Sequence, residues 1–407
     1  PFITAIGANA FSGCSALTAV NIEGTGVTIA DGAFDGNATG RRIFVPVSAI
    51  TGYGESAYLA DIYSVGQCGA EGSDVSWELN AKSMALSISG TGAMTDYASN
   101  SNVPWYSVCG KITSATIAEG VTSVGNYAFY SCSSMATVSI PDGVTSIGNY
   151  AFYNCSALTA ISIPAAVTAI GDYAFRVCNG LTTVTIPDGV TEISNYAFAD
   201  CAALTTISIP DGVTSIGISA FANCAALTSI DIPAGVTTIS SNLFNGCTSL
   251  TAITIPDGVT SINSSAFRSC SKLESITLPA SVTSVYNYAF RDCSMLTEVN
   301  IFAPSLQTYG SNAFQNTPAD LKIYVPAASV DTYKAGWSAY ADKFVALPYY
   351  ALTMKEGTQD ADKWTVKVGE AEKTVTLPIT NVKKGETVTL KYNGRLKVKG
   401  VKATVNP

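Results

Sequence analysis

A phenylalanine returns every 23 residues through most of this chain. Phe129, Phe152, Phe175, Phe198, Phe221, Phe244, Phe267 and Phe290 keep that spacing, Phe314 follows after 24, and Phe11 and Phe34 repeat it upstream. Other apolar positions return with it: in one unit Leu158, Ile161, Ile163, Val167, Ile170, Ala174, Phe175 and Cys178 point inward. Ile161 and Ile163 alternate with Ala160 and Ser162, the period of a strand with one buried face. Pro164 ends that strand, because it has no N–H for a ladder and fixes its own φ. Pro-Asp-Gly then turns the corner in units such as Asp142-Gly143, Asp188-Gly189, Asp211-Gly212 and Asp257-Gly258. One such unit cannot bury its own apolar edge, so neighbours must stack, each strand pairing in parallel with its equivalent in the next coil. The units from Ile112 to Leu296 therefore predict a solenoid on the order of 40 Å long at about 4.8 Å per coil.

The pattern L-x-x-I-x-I-P…V-x-x-I-x-x-x-A-F-x-x-C, carried by most of residues 1–347, resembles the BspA-like (Treponema-type) leucine-rich repeat. The resemblance implies a leucine-rich repeat solenoid, with parallel strands on the concave face and short strands and helical turns elsewhere. It also implies an exported bacterial surface protein that adheres to host proteins or other cells, of the kind found in gut Bacteroidetes and Firmicutes.

A solenoid needs caps at both ends. Residues 321–347 keep Ile323, Val325 and Pro326 in register. They then leave the repeat with Val330, Tyr333, Trp337, Tyr340 and Phe344 at steps of three and four, which predicts a capping helix. Residues 1–63 end in a similar way after Phe34 and read as the tail of an upstream array with its own cap. Residues 64–110 read as a leading cap for a second array. Its hairpin has Trp77, Leu79, Leu86 and Ile88 alternating around Asn80-Ala81-Lys82-Ser83, and it resembles the cap of gut-bacterial members of the family. The second array spans 111–320. After Pro348 the repeat is lost, and TVTLPIT, ETVTLKY and LKVKGVKATV read as strands of a small β module, 348–407, weakly similar to modules on Bacteroidetes surface proteins.

Composition narrows the chemistry. The chain has no histidine, which removes Ser-His and Cys-His nucleophilic sites and His-containing metal sites. No paired carboxylates, phosphate loop or nucleophile elbow appears at recognisable spacing, and the turn aspartates are interrupted at Ala165, Ala234 and Ala280, so no carboxylate column exists to hold calcium. No catalytic residue, cofactor or metal is expected. Residues 348–407 hold 11 Lys/Arg against 6 Asp/Glu, which leaves 11 against 24 for residues 1–347. A body of that sign repels nucleic acid and anionic membrane. No apolar run is long enough to span a bilayer. Residue 1 is a proline inside a repeat, so the chain reads as part of a longer exported protein, monomeric, whose signal and anchor lie outside it.

Cys109, Cys132, Cys155, Cys178, Cys201, Cys224, Cys247, Cys270 and Cys293 also keep the period, and stacking places them in a file. That spacing permits bridging. Parallel coils nevertheless point equivalent Cβ atoms the same way, so buried reduced thiols are the expectation, with bridging or a metal as the alternative. Cys14 fits the same position; Cys68 does not, and is the expected exception.

Two surfaces are candidates for binding. The strand face opposite the core carries small hydroxyls almost throughout, from Thr137 and Ser139 to Glu298 and Asn300, which suit a solvated strand or a shallow lane for a glycan or an extended chain. The other surface is uneven. Two residues before the phenylalanine stand Tyr127, Tyr150, Tyr173 and Tyr196, then Ser219, Asn242, Ser265 and Tyr288; one residue after it stand Tyr130, Tyr153 and Arg176. Tyrosine gives large contact area at low entropic cost, so Tyr127, Tyr130, Tyr150, Tyr153, Tyr173, Tyr196 and Arg176 form the expected partner-binding patch, for a host or bacterial surface protein or glycan. The alternative is a ladder of tyrosines that seals the side of the solenoid. At the level of function, the alternative to a binding scaffold is a passive spacer that displays another domain.

Overall fold

The computed structural model describes residues 3–347 and, beyond them, the backbone of five strands: Tyr350–Thr353, Lys363–Val368, Ala371–Thr376, Glu386–Thr389 and Lys402–Val405. Residues 3–347 form a leucine-rich repeat stack whose coils join through parallel strand pairs. Two short ladders run along it. One passes through Thr183–Thr185 and Thr206–Ser208, and through Ser275–Leu278, Glu298–Ile301 and Lys322–Val325. The other passes through Val121–Val124, Ser146–Ile147 and Ala169–Ile170, and later through Thr238–Ile239, Ser261–Ile262 and Ser284–Val285. On the third side the backbone is turned rather than extended, yet it too bonds coil to coil: the N–H groups of Phe129, Phe152 and Phe175 donate to the carbonyls of Ala151, Ala174 and Ala197. All three sides thus share one offset, and backbone polar groups are satisfied by the neighbouring coil.

That shared offset builds the core. The phenylalanine rings from Phe129 to Phe314 are buried and stacked, with centroids 5.1–6.0 Å apart. Beside them lie files of leucine, valine, alanine and cysteine. Each thiol from Cys155 to Cys293 donates to the carbonyl of the phenylalanine 26 residues earlier, for example Cys178 Sγ to Phe152 O at 3.1 Å. All eleven cysteines are unbridged, and ten of them, Cys68 included, are buried. Burial holds the Cys178, Cys247 and Cys293 thiols up at about 12, so they stay protonated at neutral pH. Cys14 is exposed, because no coil described here covers that end.

Some local expectations change. Ile161 and Ile163 pack against the core as expected but are only half-buried, and their run makes a single bridge, Ala160 to Thr183. Asn300, expected on the solvated strand face, is buried there, with its amide donating to Glu298 and its strand paired alongside Lys322–Val325. The capping helix is short. Val330–Gly336 is helical, the chain breaks at Trp337 (φ −118°, ψ 60°), and Phe344 opens a strand, Phe344–Ala346, that pairs with Lys322–Val325. The break follows Gly336, where a Cβ would meet the Tyr309 ring at 2.6 Å, so the glycine lets that ring pack against the helix end. Tyr333, Trp337, Tyr340 and Phe344 nevertheless all bury themselves over the last coil, Trp337 standing edge-on to Phe314 at 5.2 Å.

The hairpin around residues 80–83 is part of a three-strand meander, Ile62–Gln67, Asp74–Asn80 and Ala85–Ala93. Asn80 Oδ1 accepts the N–H groups of Lys82 and Ser83 and fixes the turn. Its first strand pairs in parallel with Arg42–Phe44 and its last with Ser114–Ile117, so one sheet runs from Ala19–Asn21 through to Ala169–Ile170. Trp105 packs against Phe129 at 6.3 Å, tilted by 36°, at the head of the phenylalanine file. Of the strands expected after Pro348, 386–389 and 402–405 pair antiparallel, and 371–376 pairs with 363–368; the remainder of those expected strands lies outside the described residues.

Two outcomes follow. Thiol labelling of the folded chain modifies Cys14 alone, and the other ten react only after denaturation; rapid native labelling of more than one thiol contradicts the file. Replacing Phe221 with Ala, in mid-stack, lowers unfolding free energy by roughly 3–5 kcal/mol in denaturant titration, as for other large buried aromatics.

Candidate functional site

The turned side of the coils from Phe129 to Phe290 places a left-handed residue two positions before the phenylalanine. Tyr127, Tyr150, Tyr173 and Tyr196 have φ of 55–60°, and Ser219, Asn242, Ser265 and Tyr288 repeat the conformation at 55–61°. The fold fixes this backbone geometry but not the side chain. Asparagine or glycine adopts it cheaply; a bulky residue pays on the order of 1 kcal/mol. Four consecutive coils carry the costly choice.

Part of the cost is offset by contact. Tyr127, Tyr150, Tyr173 and Tyr196 stack at 4.9, 4.6 and 4.6 Å with rings within 5° of parallel. Such pairs contribute about 0.5–1.5 kcal/mol each. Tyr130 and Tyr153 stack at 4.8 Å in a second file, tilted against the first at 5.8–6.4 Å. Arg176 continues that outer file: its guanidinium lies 5.7 Å from the Tyr173 ring and 5.6 Å from that of Tyr196, and its Nε donates to Asp200 at 2.8 Å. The structure thus brings all seven expected residues into one half-buried shelf. Because the rings lie face to face, the shelf offers edges and phenol oxygens rather than open faces.

Two contributors were not foreseen. Tyr106, 39% exposed, lies near enough to Tyr130 to help raise its hydroxyl. The 23-residue period had aligned it with the core phenylalanines, but Trp105 takes the core place and the register slips by one residue in the first coil. A ladder of side-chain carbonyls also runs beside the inner file. Asp96, Asn126, Asn149, Asp172 and Asn195 each accept, through Oδ1, the backbone N–H of the equivalent residue in the next coil at 2.6–3.0 Å. The signal was legible as an Asx-Tyr dipeptide at 126–127, 149–150, 172–173, 195–196 and 287–288.

Burial, then the neighbouring phenols, raises the hydroxyls of Tyr130, Tyr150 and Tyr173 above their ordinary value. Among the described residues no cluster of His, Cys, Asp or Glu is arranged to hold a metal, and no helix is long and apolar enough to cross a membrane. The geometry is that of a contact surface, with hydrogen-bonding groups on a rigid backing.

A family model described as the BspA type leucine-rich repeat region matches six copies across residues 2–62, 102–228 and 214–335. The chain belongs to this family. As a BspA-type repeat protein it is a repeat scaffold of the protein-binding kind. Similar solved structures include a leucine-rich cell surface protein from Faecalibacterium prausnitzii, 29% identical over 73% of this chain and 76% of its own, TM-score 0.38. A leucine-rich repeat protein from Eubacterium ventriosum is 24% identical over 62% and 95%, TM-score 0.32. Another, from Bacteroides ovatus, is 24% identical over 64% and 88%, TM-score 0.31. No curated protein matches.

The raised phenols carry a sign. The unfolded chain releases these protons first, so stability contributed below the ordinary phenol range, about 10, falls as pH rises through the folded-state values. Chemical unfolding at rising alkaline pH should show this decline, and a Tyr130→Phe, Tyr150→Phe, Tyr173→Phe variant should decline less steeply than the parent.

Proposed function

We propose that this chain is a non-enzymatic, cell-surface adhesion scaffold that captures a protein on the tyrosine shelf. The observation that carries the reading is the unevenness of the left-handed position: the same backbone recurs in the eight coils from Tyr127 to Tyr288, yet tyrosine fills it in the first four and serine or asparagine in the next three. A residue retained at conformational cost where cheaper ones fit equally well points to contact rather than to fold maintenance. Rows of tyrosine edges and hydroxyls with a guanidinium suit a protein epitope, in which such side chains supply most of the binding energy. The BspA-type repeat supports an exported location, where the scaffold meets host or bacterial surface proteins; a partner on a surface glycan is the alternative ligand of the same shelf.

Binding of the full chain to immobilised host matrix proteins and surface glycans tests this. A saturable partner is expected, weakened about tenfold or more by Tyr130→Ala with Tyr153→Ala, the scale of a lost aromatic anchor. A partner bound equally well by that variant removes the shelf from the account. The absence of any partner favours a passive spacer.

A further inference from the structure

The stacking that offsets the cost of the shelf also sets reactive groups against one another. Among the described residues, every parallel pair of tyrosine rings lies in the shelf. Tyr127–Tyr150, Tyr150–Tyr173 and Tyr173–Tyr196 stack in the inner file at 4.9, 4.6 and 4.6 Å, and Tyr130–Tyr153 in the outer file at 4.8 Å. Outside the shelf, Tyr309 and Tyr333 meet edge-on, and Tyr333 is buried. The shelf rings are half-buried, so their edges stay within reach of a dissolved reagent. Backbone bonds hold the coils beneath them in place: Tyr127 N to Asn149 O, Tyr150 N to Asp172 O and Tyr173 N to Asn195 O. Phenols of neighbouring coils are thus kept in contact by the fold, at an effective concentration that separate chains in dilute solution do not approach.

We infer that the shelf is an oxidative cross-linking site, at which a haem peroxidase with hydrogen peroxide joins tyrosines of neighbouring coils as dityrosine and clips the coils together. The inference rests on the ring geometry and not on the shelf having a protein partner. Two phenols each give up one electron and one proton, and hydrogen peroxide gains both pairs and leaves as two molecules of water. The two phenoxyl radicals then share their unpaired electrons in a bond between Cε atoms, the ring carbons beside each hydroxyl. The hydrogen on each of those carbons moves to the phenol oxygen. A turn about the Cβ–Cγ bonds takes two stacked rings to a side-by-side position, where that bond holds the ring centres at nearly the separation of the stack. The backbone keeps its place, since all four inner positions share a φ of 55–60°. Each link closes a loop across the turned side, where the coils otherwise join through backbone hydrogen bonds, and so opposes unzipping of a stack held by nearest neighbours. The run of links ends at Tyr196, because Ser219 takes the next place. The file thiols are buried away from the oxidant, and among the cysteines Cys14 alone is exposed.

Treating the dilute full chain with a haem peroxidase and hydrogen peroxide, then reducing it to open any bond through Cys14, tests this. Dityrosine fluorescence is expected in the monomer, with two hydrogens lost per link by mass, and digestion should return peptides joined between the stacked pairs, as Tyr130 to Tyr153. The linked chain should also unfold at higher denaturant concentration than the untreated one. The variant Tyr130→Phe, Tyr150→Phe, Tyr173→Phe removes one hydroxyl from each of the four stacked pairs and keeps the rings. Its monomer fluorescence should fall about tenfold or more, as for reactants no longer held together. Undiminished dityrosine in that variant, links confined to other residues or to separate chains, or a denaturant midpoint unmoved by linking overturns the proposal. Should the variant not fold, the peptide map of the parent decides alone. No partner is present in the reaction, so the binding shelf and the cross-linking site can fail separately.

Discussion

The rest of the molecule depends on the constant offset between hydrogen-bonded coils. Once one backbone N–H finds its acceptor 23 residues away, every other group in the coil is placed over its own equivalent, and like side chains must form files. The residues that fill those files are then chosen by how well a group stacks on a copy of itself. Phenylalanine does so at just over 5 Å with parallel rings, and small branched side chains pack around it. Stability is accordingly close to one-dimensional, a sum of coils and the contacts between neighbours, which is why aromatic caps such as Trp105 and Trp337 occupy the ends of the array.

The cysteine file shows how finely that constraint selects. The position is buried and sits one turn from a backbone carbonyl of the preceding coil. A group there must be small, largely apolar and able to donate once. The thiol meets all three conditions, giving a weak hydrogen bond to a carbonyl while behaving otherwise as a hydrophobe. Its burial removes the thiolate, so the file is structural rather than reactive. A periodic cysteine in a repeat protein is thereby explained without bridge or metal.

Function enters where the offset dictates backbone and leaves the side chain open. The left-handed position has φ of 55–61° in the eight coils from Tyr127 to Tyr288 but accepts tyrosine, serine or asparagine. The same holds one residue past the phenylalanine, where tyrosine, arginine, alanine, asparagine and glutamine all occur along the array. A strictly repetitive scaffold can therefore carry a non-repetitive surface at no cost to its register. The tyrosines of the shelf and the smaller residues that follow them, Ser219, Asn242 and Ser265, are consecutive stretches of one file.

Much of this was present in the sequence. The 23-residue period determined the solenoid, its parallel pairing, the phenylalanine and cysteine files and the tyrosine cluster, because with a fixed offset, spacing along the chain is spacing in space. The tertiary structure decided what does not repeat. The slip that puts Trp105 in the core and Tyr106 on the surface depends on how the cap meets the first coil. The break after Gly336 depends on the Tyr309 ring beneath it. Periodicity is blind to such places, since each is set by a contact made once, between segments that have no equivalent elsewhere in the chain.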